Sequence, residues 1–475
     1  MPSHQKSWMN CTGRTRTSGT KPAGNPEPTC RLATAAGNAF TSMPMATCSS
    51  ALATGSSPTT CDKVHSVKVS TRYCPHLPAN GRHRPRRRSF NRKRIMSKTR
   101  PLPMIPYGTF SRNVHDQAAT HHRVIKAQLE LTYRCNLHCR HCYTDPYNDS
   151  AYFPRELTLT EIQRFLGEMR DVGIIWLNLT GGDIFMRPDF FDIYQAAVNH
   201  GFLLQLYTNG TLFTRAIIER LQAHPPFSID ISCHSVDESQ FDWFTQVPGS
   251  YCAFLRGINL LQAGGLPFSL KTKLMNWNVG EIDNLRRFTE TNGQPFGYTT
   301  SLSPRLNGDC SSLDYRIAPD TIRRLSSTQD TDQEIDDCPT HDPLSPPAHE
   351  RLFRCGCGTD TIHINAWGEL STCTFQYETR LSLRSHTVRE AIEHNFAAIQ
   401  GLTYQTDSAC RACTLHELCD KQPTQARWET GHPESPIPYD CDIAIARAGL
   451  TDRQPLIHPL QGQSHPVTAI PGASS

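Results

Sequence analysis

Between residues 127 and 304, short apolar runs alternate with segments whose apolar residues recur at helical spacing. The segment 158–173, for example, places Ile162, Phe165, Leu166 and Met169 on one helical face. Repetition of this kind predicts parallel strands joined by right-handed crossovers, and so an open or closed α/β barrel. The six runs predicted as strands are AQLELTY (127–133), IIWLNLTGG (174–182), LLQLYTNG (203–210), FSIDISCH (227–234), PFSLKTKLM (267–275) and YTTSLSP (298–304).

Helix-terminal signals support this division. Thr158 and Glu161 fit a capping box at the start of the first helix, and Gly173 fits its C-terminal cap. In α/β folds the chemistry gathers at the carboxyl ends of the parallel strands. Motifs rich in polar or small residues follow the first four predicted strands, so this edge of the sheet is the predicted site.

Cysteine content is the unusual feature of the composition. The chain has 475 residues, 37% of them hydrophobic and 19% charged, and its 19 cysteines exceed what an ordinary globular protein needs. The length favours two folded units. With no credible secretory signal, so many cysteines indicate metal or redox chemistry rather than a disulfide framework. No apolar run approaches the ~18 residues of a membrane span, so no membrane association is predicted.

The first hundred residues differ from the rest of the chain. They carry 18 Lys and Arg against two acidic residues, a balance of +16, which leaves −12 for the remainder. The segment is rich in Ser, Thr, Pro and Gly and has no apolar periodicity, so residues 1–95 are predicted to be a disordered basic extension. The alternative is a misassigned start, with translation beginning at Met96; the change in composition there favours it. A nucleic-acid partner would depend on RHRPRRRSFNRKR (82–94) alone and is not predicted.

Three cysteines follow the first predicted strand. Cys135, Cys139 and Cys142 stand at spacings of four and three within LELTYRCNLHCRHCYTDPYN (129–148). A structural zinc site usually has two C-x₂-C-like pairs and four ligands, and no fourth cysteine is near; His138 and His141 each adjoin a cysteine. Three thiolates on a four-iron cluster would leave one iron open to a substrate or cofactor.

The C-x₃-C-x₂-C spacing followed by Tyr143, at the end of a first barrel strand, resembles the radical S-adenosylmethionine (SAM) superfamily. The resemblance implies a partial (β/α)6 barrel in which Cys135, Cys139 and Cys142 bind a catalytic [4Fe-4S] cluster. It also implies that the amino and carboxylate groups of SAM chelate the open iron, and that one-electron cleavage of SAM gives methionine and a 5′-deoxyadenosyl radical that abstracts a hydrogen atom. The cofactor then performs the difficult chemistry while the protein directs it. Tyr143 is expected in the cofactor site.

The segments after the next strands also resemble this family. LTGGD resembles its glycine-rich motif, in which Gly181 and Gly182 would let the backbone approach the methionine part of SAM. Asp183 stands where the family more often has Glu, and would accept from the ammonium of SAM. YTNG and ISCHS resemble segments near the methionine and ribose, which assigns Asn209 and Ser232 as polar contacts.

A second cysteine array lies in the last third of the chain and resembles the auxiliary-cluster extension called SPASM. A zinc ribbon made from the same thiols is the alternative. The resemblance implies one complete four-iron cluster, held by Cys410, Cys413, Cys419 and Cys441. It implies a second cluster that draws three ligands from Cys355, Cys357 and Cys373.

The fourth ligand of that second cluster is missing from the sequence. Gln422 and Pro423 stand where the family places a cysteine before Pro-Gly. The cluster would then have an open iron, borrow Cys338, Asp420 or His416, or not form at all.

These observations predict a radical SAM barrel with a cysteine-rich auxiliary iron–sulfur domain. The predicted divisions are a basic extension (1–95), the barrel (96–310), a linker (311–354), the SPASM domain (355–445) and a tail (446–475). The predicted function is modification of a peptide or small protein by hydrogen abstraction. The alternatives are maturation of a small redox cofactor, of the pyrroloquinoline quinone or haem d₁ type, and a non-catalytic iron–sulfur electron carrier.

The expected location is cytoplasmic, and the expected electron donor is a reductant such as flavodoxin or ferredoxin. No segment before residue 100 resembles a leader-peptide-binding domain, so a separate protein is expected to assist substrate recognition. The substrate, the bond formed and the oligomeric state do not follow from the sequence.

Overall fold

The structure is a computed structural model that describes residues 106–121, 123–327, 350–354 and 358–449. The predictions made for residues 1–95, for Cys338, Cys355 and Cys357, and for the tail beyond residue 449 lie outside these ranges.

One sheet of nine strands organises the described part of the chain. The strands are β1 (Lys126–Thr132), β2 (Trp176–Gly181), β3 (Leu203–Thr208), β4 (Ser228–Ser232), β5 (Phe268–Lys273), β6 (Tyr298–Thr299), β7 (Thr361–Ile364), β8 (Glu369–Ser371) and β9 (Leu381–Ser382). Their order across the sheet is β6-β5-β4-β3-β2-β1-β7-β8-β9. The first six are parallel to their neighbours, which confirms the predicted α/β fold with a mostly parallel sheet.

Helices connect these strands. They are α1 (Tyr107–Thr120), α2 (Leu159–Val172), α3 (Phe190–His200), α4 (Arg215–Ala223), α5 (Glu238–Thr245), α6 (Ser250–Gly264), α7 (Ile282–Thr291), α8 (Pro319–Ser327), α9 (Val388–Gln400), α10 (Pro423–Thr430) and α11 (Pro438–Arg447). The capping box of Thr158 and Glu161 forms at the start of α2, and Gly173 ends that helix at φ 99°. None of the described helices has the length and apolar character needed to cross a bilayer.

The strands after residue 354 extend the same sheet. β7 pairs with β1 in parallel, and β8 and β9 continue from it as antiparallel strands. The sheet therefore includes strands from both the predicted barrel and the predicted SPASM segment. The division at residues 311–354 stays a prediction.

The two faces of the sheet differ in chemistry. One face packs against the helices in a single apolar core, through an in-register row of Ile364, Leu129, Leu179, Leu206 and Ile229. The opposite face carries a polar row in the next register, formed by His363, Gln128, Asn178, Gln205 and Ser228. A parallel sheet covered by helices on both faces would be apolar on both. The polar face therefore lines the space in which the site lies.

Candidate functional site

The glycine pair at the end of β2 allows that strand to approach the cysteine loop. A Cβ on Gly181 would lie 2.1 Å from the carbonyl oxygen of Thr132, and one on Gly182 would lie 2.3 Å from that of Arg134. Gly181 also has a φ of 137°, which L side chains rarely adopt. The amide of Gly182 donates to Thr132 at 2.8 Å. The structure thus shows a close approach of these glycines to the polypeptide backbone; their predicted contact with SAM remains a prediction.

The cysteine loop is fixed by bonds to two neighbouring segments. The side-chain amide of Asn148 accepts from the amide of Cys135 at 3.0 Å and donates to its carbonyl at 2.9 Å. The amides of His138 and Arg140 donate to the carbonyls of Thr245 and Phe244 at 3.0 and 3.1 Å. Backbone bonds of this kind hold the loop at the carboxyl edge of the sheet.

The three thiols of this loop lie close to one another. All are half-buried, and burial raises the pKa of Cys135, Cys139 and Cys142. The pKa of Cys139 is raised further by both of the other thiols. Sulfur ligands must lose their protons to bind metal, so cluster assembly here would release protons.

The donor set suits an iron–sulfur cluster, because soft thiolates are the ligands that such clusters bind. Within the described ranges, no three His, Cys, Asp or Glu side chains are arranged as ligands of one metal ion. A four-iron cluster instead places each thiolate on a different iron. Two N–H groups point at the Cys135 sulfur, from the Leu137 backbone at 3.4 Å and from the Asn209 side chain at 3.7 Å. Such bonds tune the potential of iron–sulfur clusters.

Asp183 is completely buried and supports the loops around it. One carboxylate oxygen accepts from the amide of Phe185 at 3.1 Å. The other accepts from the hydroxyl of Thr208 at 2.7 Å and the amide of Asn209 at 2.9 Å. A carboxylate offers about four acceptor sites, so one remains for the predicted ammonium contact. Burial raises the pKa of Asp183.

The side chains of Asn209 and Ser232 differ in how many hydrogen bonds they form with the protein. The Asn209 side chain donates to the side-chain Oδ1 of Asn136 at 2.9 Å and accepts from the backbone amide of Thr211 at 2.9 Å. It therefore binds the cysteine loop to the turn after β3. The Ser232 hydroxyl has no hydrogen-bond partner within the described ranges, so it is available to a ligand.

Tyr143 bonds to a buried acid that the sequence analysis did not single out. Its hydroxyl donates to Glu130 on β1 at 3.1 Å. Glu130 is completely buried, and His363 on β7 lies 3.5 Å from its other oxygen. The aromatic residue after the cysteine motif is thus fixed from the polar face of the sheet.

A second group that the sequence analysis missed lies where β4 and β5 end. His234 follows β4, and its ring centroid is 5.0 Å from that of His141 in the cysteine loop. Lys273 ends β5 and donates to the carbonyl of Ser301 at 2.6 Å, but no described carboxylate forms an ion pair with it. Lys271, on the same face, lies 3.6 Å from the buried Asp230. The group therefore combines a lysine without a described carboxylate partner and two imidazoles at one edge of the sheet.

The C-terminal array brings four thiols together. Cys410 and Cys441 are buried, and Cys413 and Cys419 are half-buried. Burial raises the pKa of Cys441, and the other three thiols raise it further. These are the four residues predicted to hold one complete auxiliary cluster, and their role as ligands stays a prediction.

Two cations face these thiols. Burial lowers the pKa of Lys421, while the thiols of Cys410, Cys419 and Cys441 act to raise it. Burial likewise lowers the pKa of Arg354, while the Cys410 thiol acts to raise it. Positive side chains beside four sulfurs fit an anionic cluster, because a buried charge is otherwise costly.

The predicted second auxiliary cluster is only partly within the described ranges. Cys373 is half-buried after β8, whereas its partners Cys355 and Cys357 lie outside them. Of the substitute ligands, Asp420 forms an ion pair with Arg447 at 2.8 Å. The Nε2 atom of His416 is buried without a hydrogen-bond partner among described residues, so His416 is the freer of the two.

Comparison with known proteins agrees with this geometry. Residues 129–289, which begin in β1 and end in α7, match the family described as Radical SAM superfamily. The matched part of the chain contains all three cysteines of the loop and the glycine pair.

Relatives among curated proteins extend this result. An AdoMet-dependent heme synthase from Methanosarcina barkeri is 32% identical over 196 residues, covering 41% of this chain and 55% of the relative. The antilisterial bacteriocin subtilosin biosynthesis protein AlbA from Bacillus subtilis is 26% identical over 271 residues, covering 56% of this chain and 59% of the relative. The chain thus spans little more than half the length of either protein. The predicted family resemblance and the prediction of an enzyme are confirmed.

A solved structure shares the fold. Streptococcus suis SuiB bound to S-adenosylmethionine matches with a TM-score of 0.53 at 15% identity, over 70% of this chain and 81% of the SuiB chain. The same protein has also been solved bound to its precursor peptide SuiA. At this identity the similarity shows the fold alone.

Proposed function

We propose that this chain is a radical SAM enzyme that modifies a peptide substrate. The observation that carries the proposal is the loop with Cys135, Cys139 and Cys142 at the carboxyl edge of the parallel sheet, with two N–H groups directed at the first sulfur. These three residues would hold the catalytic [4Fe-4S] cluster. When bound, the cluster would supply the electron for reductive cleavage of SAM, which would provide the means of hydrogen abstraction from the substrate.

Residues of the chain would bind and orient the cofactor. Asp183 keeps one acceptor site for the ammonium of SAM, and the free hydroxyl of Ser232 suits a polar contact. Asn209 acts indirectly, because its amide groups bind the cysteine loop. The predicted contacts from Tyr143, Gly181 and Gly182 belong to the same proposal.

Two of the similar proteins support a peptide substrate. AlbA is named for bacteriocin biosynthesis, and SuiB is solved with a precursor peptide. A reductant such as flavodoxin or ferredoxin would provide the electron, and a separate protein would help to recognise the leader peptide.

The first test is cleavage of SAM by anaerobically reconstituted protein. Formation of 5′-deoxyadenosine should occur in the wild type and be abolished in Cys139→Ala, because removing a ligand destroys the open-iron cluster. The iron held by the C-terminal cysteines should remain in the variant. Undiminished cleavage in Cys139→Ala would remove this residue from the active site, and no cleavage by the wild type would favour the electron-carrier alternative.

The number of auxiliary clusters is tested by counting iron. About twelve irons per chain are expected if all three clusters form as four-iron species, and about eight if the site of Cys355, Cys357 and Cys373 is vestigial. Replacing Cys338 by Ala should leave the count unchanged if that site has an open iron, and lower it by about four if Cys338 is the missing ligand.

Maturation of a small redox cofactor is the second candidate. The match to a heme synthase at 32% identity over 196 residues favours it. Lys273 lies beside His234 and forms no ion pair with a described carboxylate, so it would also suit an anionic substrate. A short precursor peptide encoded beside this gene, and modified by the enzyme, would decide for the peptide; turnover of a porphyrin or quinone precursor would decide against it.

A further inference from the structure

A buried carboxylate lies beneath the cysteine loop. Glu130 on β1 has no solvent exposure, and each of its oxygens has a partner. One accepts from Tyr143 at 3.1 Å, and the other accepts from Tyr133 at 2.8 Å. His363 Nε2 lies 3.5 Å from the second oxygen, which is an ion-pair contact rather than a well-formed hydrogen bond. A carboxylate in such a place is costly unless it is compensated in this way.

The carboxylate is held in its charged form. Burial acts to raise the pKa of Glu130, but the His363 imidazole and the hydroxyl groups of Tyr133 and Tyr143 outweigh it, so the pKa lies below its usual range. A fixed negative charge thus lies in the interior, where water screens it little.

Glu130 connects the two segments that carry predicted cluster ligands. On one side, Tyr143 directly follows Cys142 of the cysteine loop. On the other side, the hydroxyl of Ser371 lies 3.4 Å from His363 Nδ1 and donates to the Cys373 carbonyl at 2.8 Å. The ring of Tyr143 also meets that of Phe375, two residues after Cys373, at 5.7 Å. The pairing of β7 with β1 is what brings these groups together.

We propose that Glu130 is a positioning residue of the cysteine loop and that its fixed negative charge lowers the reduction potential of the catalytic cluster. This inference rests on the proposed function, because it requires that the cluster forms. The physical reason is that a nearby anion disfavours the added electron of the reduced cluster, and local net charge is one of the factors that set such potentials. A lower potential makes the reduced cluster a stronger one-electron donor.

The test is a potentiometric titration of the full-length reconstituted protein. The titration is monitored by the electron paramagnetic resonance signal that is lost in Cys139→Ala. Glu130→Gln keeps the shape and removes the charge, so the midpoint potential should shift upward. Asp230→Asn is the matched control. Asp230 is also a buried acid on the polar face, but it contacts Gln205, Ser228, Ser269 and Lys271, and none of these residues is in the loop.

A second variant separates the charge from general disruption. His363→Leu removes the group facing the carboxylate and leaves its charge less compensated, so the potential should shift downward. Opposite shifts in the two variants, with Asp230→Asn unchanged, would support the proposal. It would be overturned by a Glu130→Gln potential equal to that of the wild type, or by an equal shift in Asp230→Asn.

If Glu130→Gln fails to fold or loses its catalytic iron, the midpoint potential of His363→Leu decides the question. A downward shift in His363→Leu would then support the role of Glu130, and an unchanged or raised potential would overturn it. Absence of any reducible cluster in the wild type is a different result, because it would contradict the proposed function itself.

Discussion

The cysteine loop after β1 and the C-terminal cysteine group differ in the number of their thiols and in the residues around them. The loop offers three half-buried thiols whose positions depend on hydrogen bonds from neighbouring segments. The C-terminal group offers four thiols, two of them buried, beside the cations of Lys421 and Arg354. Four sulfurs complete a four-iron cluster, whereas three leave an iron for exchange. Under the proposed function, the loop would be the site of chemistry and the C-terminal group a site of electron storage or relay.

The comparison predicts reciprocal losses. Cys441→Ala should lower the iron content by about four per chain, because it removes one of four ligands of the auxiliary cluster. Reductive cleavage of SAM should persist in this variant, in contrast to Cys139→Ala. Iron analysis and chromatography of 5′-deoxyadenosine measure both effects. Loss of cleavage in Cys441→Ala together with full retention of iron would contradict the division of roles.

Iron binding by the cysteine loop should also depend on the glycine pair, whereas iron binding by the C-terminal group should not. Gly182→Ala would place a Cβ 2.3 Å from a backbone oxygen of Arg134, so the chain must move apart there. We expect the free energy of unfolding to fall by about 3 kcal/mol, with catalytic iron lost first.

The control for that experiment lies in α2. A Cβ on Gly167 would meet only the edge of His200, at 3.9 Å, so Gly167→Ala should be neutral or stabilising by up to about 1 kcal/mol. Urea denaturation measures both variants. Equal stability of Gly182→Ala and the wild type would show that the strands need not approach so closely.

The smallest expected effect concerns the two lysines on β5. Burial lowers the pKa of Lys273 to about 8. The unfolded chain, with a lysine pKa of about 10.4, then binds more protons than the folded chain between these values. The contribution of Lys273 to stability therefore rises with pH from about 8 to about 10.4, and its burial cost is fully present below 8.

In metal-free protein, Lys273→Met should remove this rise of stability with pH. Lys271→Met, which leaves Lys273 in place, should retain it. Urea midpoints at pH 7 and pH 9.5 measure the difference between the variants. A rise that persists in Lys273→Met would assign it to another group.

The first six strands were predictable because their patterns are local. Each run is apolar, and each is separated from the next by a segment of helical periodicity. The predicted runs extend beyond the observed ends of the strands, since the residues after β2 and β3 leave the sheet to form the site loops. The addition of β7 to β1 was missed, because it joins segments more than 200 residues apart through a strand of four residues. α1 was missed because its sequence, YGTFSRNVHDQAAT, is mostly polar.

In the site, spacing identified the cysteines, while the polar face of the sheet was missed. Glu130, Asp230 and His363 each stand between apolar neighbours in a strand, as LEL, IDI and IHI. In a parallel sheet such alternation is a signal that one face lines a polar space. The bonds of Asn209 to the cysteine loop had no such signal, because they depend on the tertiary approach of two loops.

The central claim is that the three-thiol loop holds a cluster whose open iron takes SAM. Electron paramagnetic resonance of the reduced protein, recorded with and without SAM, tests it most directly. SAM should change the spectrum of the wild type and of Cys441→Ala, because both keep the open iron. It should leave the spectrum of Cys139→Ala unchanged. A wild-type spectrum that does not respond to SAM, or a response that survives in Cys139→Ala, would contradict the claim.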